Sequence, residues 1–326
     1  MVLSQSKYGI VEQMKNKKRK KMVRFMAPYI LLFVSCVLSG AEASDKSGIP
    51  EFLPGRRAGT VQTGLITEAS GIVASRKNPP VLWVHNDSGH AADVYAINPE
   101  GKLLATCRIK GARCRDWEDI AIGPGPDPQH DLLYIGDIGD NGSRYPFITV
   151  YRLPEPKVDP NGASVEMTTG PAEAIELVYP DGPKDAETLL VDPLSRDIYI
   201  IAKRELLCRV YRAAYPQSTT RRNTLKLVTR LPWGLAVAGD VSPDGRLVMV
   251  RGVVGASIWV RPKGKPLWRA FKTTPVPLKL IPEPQGEGIC FDADGRGHFT
   301  ISEMEHPPIY YFPARSPVPP SQKVPK

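Results

Sequence analysis

The chain has 326 residues, of which 42% are hydrophobic and 24% charged, enough for one large all-β domain or two ordinary ones. Its formal net charge of +9 would suit a nucleic-acid partner if it were spread evenly. Residues 1–43 hold eight Lys/Arg against Glu12 and Glu42, and the remainder carries a net of only +3, which argues against a phosphate-backbone partner.

The first element in chain order is that basic block, followed by 25-FMAPYILLFVSCVLSG-40 and 41-AEAS-44. A positive region, a short apolar run and a small-x-small site predict a signal peptide over 1–43, cut before Ser44. The apolar run is shorter than the roughly 20 residues that a membrane span needs. The reading is a secreted or periplasmic protein, with a membrane anchor through the N-terminal segment as the alternative. No other membrane contact is expected. Residues 44–56 read as a linker, 57–315 as the folded domain and 316-SPVPPSQKVPK-326 as a Pro-rich tail without fixed structure. Export permits disulfides. Cys107 and Cys114 lie close enough in sequence for a local bridge, whereas Cys290 sits inside an apolar strand as a small buried hydrophobe. No spacing suggests zinc.

Beyond the leader, short β-rich runs alternate with Gly/Pro/Asp turns, and they repeat. The first unit is EASGIVAS, VLWVHND, DVYAINP, LLATCRI; the second is EDIAIGP, LLYIGDI, FITVYRL, AIELVYP. The third is ETLLVDP, DIYIIAK, CRVYRAA, LKLVTRL; the fourth is AGDVSPDG, RLVMVRG, ASIWVRP, PLWRAFK. A fifth, GEGICFD, HFTISEM, PIYYFPA, is one strand short, and 59-GTVQTGLI-66 has no unit of its own. An all-β, five-bladed β-propeller closed by this N-terminal strand accounts for both leftovers. Ser70, Glu118, Glu187, Val237 and Glu287 are then equivalent, at intervals of 48, 69, 50 and 50. The 69-residue interval leaves a six-bladed ring as the alternative. Trp83, Trp117, Trp259 and Trp268 are expected between blades.

In a propeller, first-strand starts and second-strand ends converge on one rim. The starts are Ser70, Glu118, Glu187, Val237 (with Asp240 three residues on) and Glu287. The ends include Asp87 in 85-HNDSG-89, Asp137 in 135-IGDIGDN-141, Lys203, Arg251 and Glu303. Several carboxylates aimed at one channel repel one another, and a cation relieves the conflict. Oxygen ligands without His or Cys select a hard ion, and a roomy ring suits Ca²⁺. Ser70, Glu118, Glu187, Glu287 and Asp240 are the candidate ligands. The competing reading is a ring of polar residues that bind only backbone and channel water.

At these residues the chain resembles the calcium-activated nucleotidase (apyrase) family of five-bladed propellers. The order Ser70, Glu118, Glu187, non-acidic, Glu287 matches, as does 81-VLWVHNDSGHAADVYAINPEG-101. The resemblance implies secretion and a Ca²⁺ at the channel, held by Ser and Glu from first strands. Val237 departs from it, standing where the family has a hydroxyl. The chain is also similar to unannotated exported bacterial propellers that carry NDSG, DWED and GDIGDN.

Two functions follow. One is a binding or structural module, acting as a monomer, that holds a small molecule, glycan or protein at the channel rim. The alternative is a Ca²⁺-dependent phosphohydrolase. There Asp87, Asp137 or Asp140 would orient water, and Lys203, Arg204 and Arg251 would hold phosphates.

Overall fold

A computed structural model of the chain describes residues 48–315. The signal peptide expected over 1–43 and the tail expected from 316 lie outside the described residues. Strand β1 (Arg56–Thr60) comes first. Blade 1 follows with β2 (Ala69–Ala74), β3 (Leu82–Asn86), β4 (Asp93–Ile97) and β5 (Leu103–Lys110). Blade 2 is built from β6 (Trp117–Pro124), β7 (Asp131–Asp137), β8 (Ile148–Pro154) and, after an excursion through β9 (Val165–Pro171), β10 (Glu173–Val178). Blade 3 has β11 (Ala186–Val191), β12 (Ile198–Ala202), β13 (Arg209–Ala213) and, after an excursion through the two-residue β14 (Asn223–Thr224), β15 (Lys226–Arg230). Blade 4 has β16 (Ala236–Val241), β17 (Leu247–Gly252), β18 (Ala256–Val260) and β19 (Val276–Leu278). Blade 5 has β20 (Gly286–Phe291), β21 (Gly297–Ser302) and β22 (Pro308–Pro313).

These strands form five sheets, and the architecture is the five-bladed propeller. The inner strands β2, β6, β11, β16 and β20 pack side by side in that order, and β20 returns to β2. Such strands have neighbours on both faces, so they read as continuous apolar runs; every residue of β2, β6, β11 and β16 is buried. Close approach is met by small residues. A Cβ on Gly71 would lie 2.5 Å from His85 Nε2, and one on Gly288 would lie 2.7 Å from Ile72 of the adjacent blade.

The ring is closed by β1, which pairs antiparallel with β22 as the outer strand of blade 5. The closing strand is 56–60 rather than 59–66. Beyond Thr60 the chain leaves the sheet: Val61 N donates to Pro307 O and Gln62 N to Gly101 O. The long interval holds no sixth blade. Its strand β9 runs parallel to β5 on the edge of blade 1, and β14 is laid likewise against β10 of blade 2. In blade 4, PLWRAFK forms a 3-10 helix over Leu267–Lys272, not the fourth strand. It buries Leu267, Ala270 and Phe271, a three-and-four spacing that suits a helical face and defeats strand alternation. The fourth strand is β19 instead.

Apolar clusters fill the seams. Trp83, Trp117 and Trp259 are fully buried, and Trp259 stacks on Trp233 with centroids 6.2 Å apart. Trp268 is only partly buried against this last cluster. All four described cysteines are free, so the expected Cys107–Cys114 bridge is not formed. Cys107 is buried in β5 opposite Val94, while Cys114 directs its sulfur to Asp87 O at 3.8 Å. Cys290 is buried as expected. Among the described residues no helix is long and apolar enough to cross a membrane.

Candidate metal centre at the channel mouth

Each inner strand carries a bulge at the same place. Pairing skips from Ala69 to Gly71, Trp117 to Asp119, Ala186 to Thr188, Ala236 to Ala238 and Gly286 to Gly288. The five skipped residues are Ser70, Glu118, Glu187, Val237 and Glu287. A bulge frees one residue from the pleat and re-aims its side chain. This explains how a glutamate can open an apolar strand without breaking it. A second regularity accompanies the bulge. The carbonyl two residues before each bulge accepts an N–H from just beyond the second strand: Asp87 to Glu68, Gly139 to Asp116, Lys203 to Asp185, Val253 to Leu235 and Glu303 to Gln285. The five blades therefore present equivalent positions around one mouth, and blade 4 contributes only Val237, Leu235 and Val253.

Carboxylates gather there in two overlapping groups, Asp87–Asp116–Glu118 and Glu118–Asp185–Glu187, with one oxygen from each residue of a group within 4.8 Å of the others. The groups differ in their counter-charges. In the second, Lys203 Nζ pairs with Glu187, and Arg204 pairs with Asp185, which also accepts Asp140 N at 2.9 Å. In the first, Asp87 Oδ1 accepts only the N–H of Ser88. Among the described residues neither Asp116 nor Glu118 has an ion pair or hydrogen bond through its carboxylate. Ser70 Oγ lies beside them, donating to Glu118 O at 2.6 Å.

The electrostatics follow from crowding. Burial pushes the Asp116 carboxyl up to about 6, with Asp87, Asp185 and Asp137 adding to it. Glu118 is raised well above the usual carboxylate range by burial, then by Glu187 and Asp87. Burial, with Glu287, Asp87 and Glu68 behind it, lifts Glu303 to about 7. Burial alone would lower Lys203, but Glu187, Glu287 and Glu118 outweigh it and hold the ammonium charged.

A carboxyl raised by folding contributes stability that is full while both states hold the proton, below the unfolded value. That contribution disappears as pH climbs through the folded value. In chelator, the urea midpoint of Glu303→Gln should therefore gain on wild type as pH rises from about 5 to about 8. Parallel midpoints across that range would contradict the shift assigned to Glu303.

The remaining sequence candidates are placed as follows. Glu287 lies near enough to Glu187, Lys203 and Glu303 to perturb each, though it belongs to neither group. Asp240 is not brought to them, because its carboxylate accepts Val241 N and Phe291 N at 2.8 Å each, tying blade 4 to blade 5. Asp137 accepts Asp116 N at 2.9 Å and faces Arg115 at 3.7 Å. Asp140 accepts Arg144 N and Tyr145 N and so shapes its own loop. Arg251 lies 2.7 Å from Glu283 Oε2 and donates to Gly288 O. Each basic candidate is thus committed to an internal carboxylate.

Asp116 and Asp185 were not among the sequence candidates, and Glu303 was placed on the rim without an assigned role. The first two had a signal, since 116-DWE-118 and 185-DAE-187 repeat an acid two residues before the bulge.

No protein-family model matches the chain, and no curated protein matches it. Among solved structures it is similar to a hydrazine synthase chain from Kuenenia stuttgartiensis, covering 78% of this chain and 97% of that one. The identity is 10% and the TM-score 0.41, a likeness that bears on neither activity nor ligand. The chain is a five-bladed β-propeller with a carboxylate cluster at the channel mouth.

Proposed function

We propose that the protein is an exported, cation-dependent binding module in which Asp87, Asp116 and Glu118 hold one Ca²⁺ at the channel mouth. One observation carries the reading. These three acids converge with no direct ion pair to a lysine or arginine, whereas Glu187 and Asp185 of the neighbouring group each have one. A cluster of hard oxygen donors without direct pairing is relieved by a hard cation, and its irregular, part-open geometry suits Ca²⁺ better than strictly octahedral Mg²⁺. When bound, the ion supplies positive charge that can hold an oxygen of a glycan, protein or small molecule at the rim. The export part of the proposal rests on the basic and apolar leader.

The nucleotidase-like alternative needs cations free to clamp phosphates. Lys203 with Glu187, Arg204 with Asp185 and Arg251 with Glu283 are already paired, which favours binding over hydrolysis.

Thermal melting in Ca²⁺, Mg²⁺ or chelator tests the cation. Ca²⁺ at a hundred times its Kd should add about 2.7 kcal/mol, a rise of about 5 °C for a domain this large. Glu118→Gln should abolish the rise without changing the fold. Identical melting of wild type in Ca²⁺ and in chelator would end the proposal.

A further inference from the structure

The five positions just beyond the second strands are Asp87, Gly139, Lys203, Val253 and Glu303, related by the same backbone hydrogen bond in every blade. Two are acids, two are uncharged, and only Lys203 brings a cation. Its side chain is 16% exposed and that of Glu187 8%, so the pair lies inside the mouth and not on its rim. Glu287 and Glu118 are also close enough to hold the ammonium charged. The inner ring thus contains a built-in cation on the side of blades 3 and 5, paired directly with Glu187, and the acids without a direct ion pair lie on the side of blades 1 and 2.

Resting on the cation reading above, we propose that Lys203 is the charge selector of the mouth: its ammonium occupies Glu187, confines the bound ion to Asp87, Asp116 and Glu118, and disfavours ions of higher charge. The physical reason is simple. Repulsion between a fixed positive charge and an ion grows in proportion to the charge of that ion. An ammonium beside the site therefore penalises a trivalent ion about one and a half times as much, in logarithmic affinity, as a divalent one. It also keeps Glu187 from turning to the ion. The mouth is then acidic enough to hold one divalent cation without becoming a general trap for highly charged metals.

Isothermal titration of wild type, Lys203→Met and Lys203→Arg with Ca²⁺ and with Tb³⁺, a hard ion of higher charge, tests this. If Lys203→Met tightens Ca²⁺ about tenfold, it should tighten Tb³⁺ about thirtyfold, whereas Lys203→Arg should keep both affinities near wild type. Ca²⁺ should also rescue the melting of Lys203→Met more than that of wild type, because the ion replaces the lost ammonium. Unchanged or weaker Ca²⁺ binding by Lys203→Met, with wild type binding normally, overturns the role of Lys203 alone. So does a variant that stays unfolded in millimolar Ca²⁺. Binding of neither ion by either protein overturns the cation reading and this inference with it.

Discussion

Glu155→Ala should cost about 3–5 kcal/mol and move the urea midpoint without changing its slope. Glu155 is 3% exposed and begins the excursion between β8 and β9. Its Oε1 accepts Trp83 Nε1 at 2.8 Å, Asn78 Nδ2 at 3.1 Å and Ser75 Oγ, and its Oε2 accepts Lys77 N at 3.1 Å. Alanine removes the acceptor and keeps the buried donors, which is the costly half of a hydrogen-bond deletion. Because Trp83 lies in blade 1 and Glu155 directly follows β8 of blade 2, the loss also loosens one seam of the ring. Glu155→Gln retains an acceptor oxygen and should cost clearly less. Equal stability of Glu155→Ala and wild type would mean that these donors find water.

Arg251→Met should likewise lose about 3–5 kcal/mol, and the double variant Arg251→Met/Glu283→Gln should recover most of it. The side chains of Arg251 and Glu283 are 6% and 0% exposed, 2.7 Å apart. Glu283 also accepts Ser302 Oγ at 3.1 Å, which glutamine preserves. Removing only the guanidinium strands a buried carboxylate; removing both charges leaves nothing to neutralise. A double-mutant cycle in urea reads the difference. Additive losses would show that the two residues act separately and that Arg251 is not spent on Glu283.

Why the ring was legible in the sequence and its counter-ions were not has a physical cause. An inner strand buried on both faces is largely apolar, so Glu118, Glu187 and Glu287 at its entrances stand out with a regular interval. Their common cause, a bulge in every blade, is a feature of strand pairing that the alignment of these positions does not announce. Asp116 and Asp185 escaped because an acid at a strand entrance looks like an ordinary turn residue until its partner two positions later is known to turn inward. The commitments of Lys203 and Arg251 depend on hairpin reach and on segments such as 282-PEP-284, where no periodicity announces a contact. The excursion at 154–173 gave no sign that its strand would cross to blade 1, since a parallel edge strand needs no turn signal beside its partner. PLWRAFK fits a fourth strand by its place in the repeat, and the 3-10 helix over Leu267–Lys272 is too short for its Leu267, Ala270, Phe271 spacing to stand out as a period.

The pairing of β1 with β22 joins Arg56 to Tyr311 across nearly the whole described chain, and this fixes an order of events. During synthesis β1 emerges before every other strand yet has no mate until almost the last described residues arrive. Four blades can assemble while the circle is still an open arc, its two ends unpaired. Loss of either strand would thus undo a join that every other blade depends on indirectly, and longer-range pairing of this kind is slow to form.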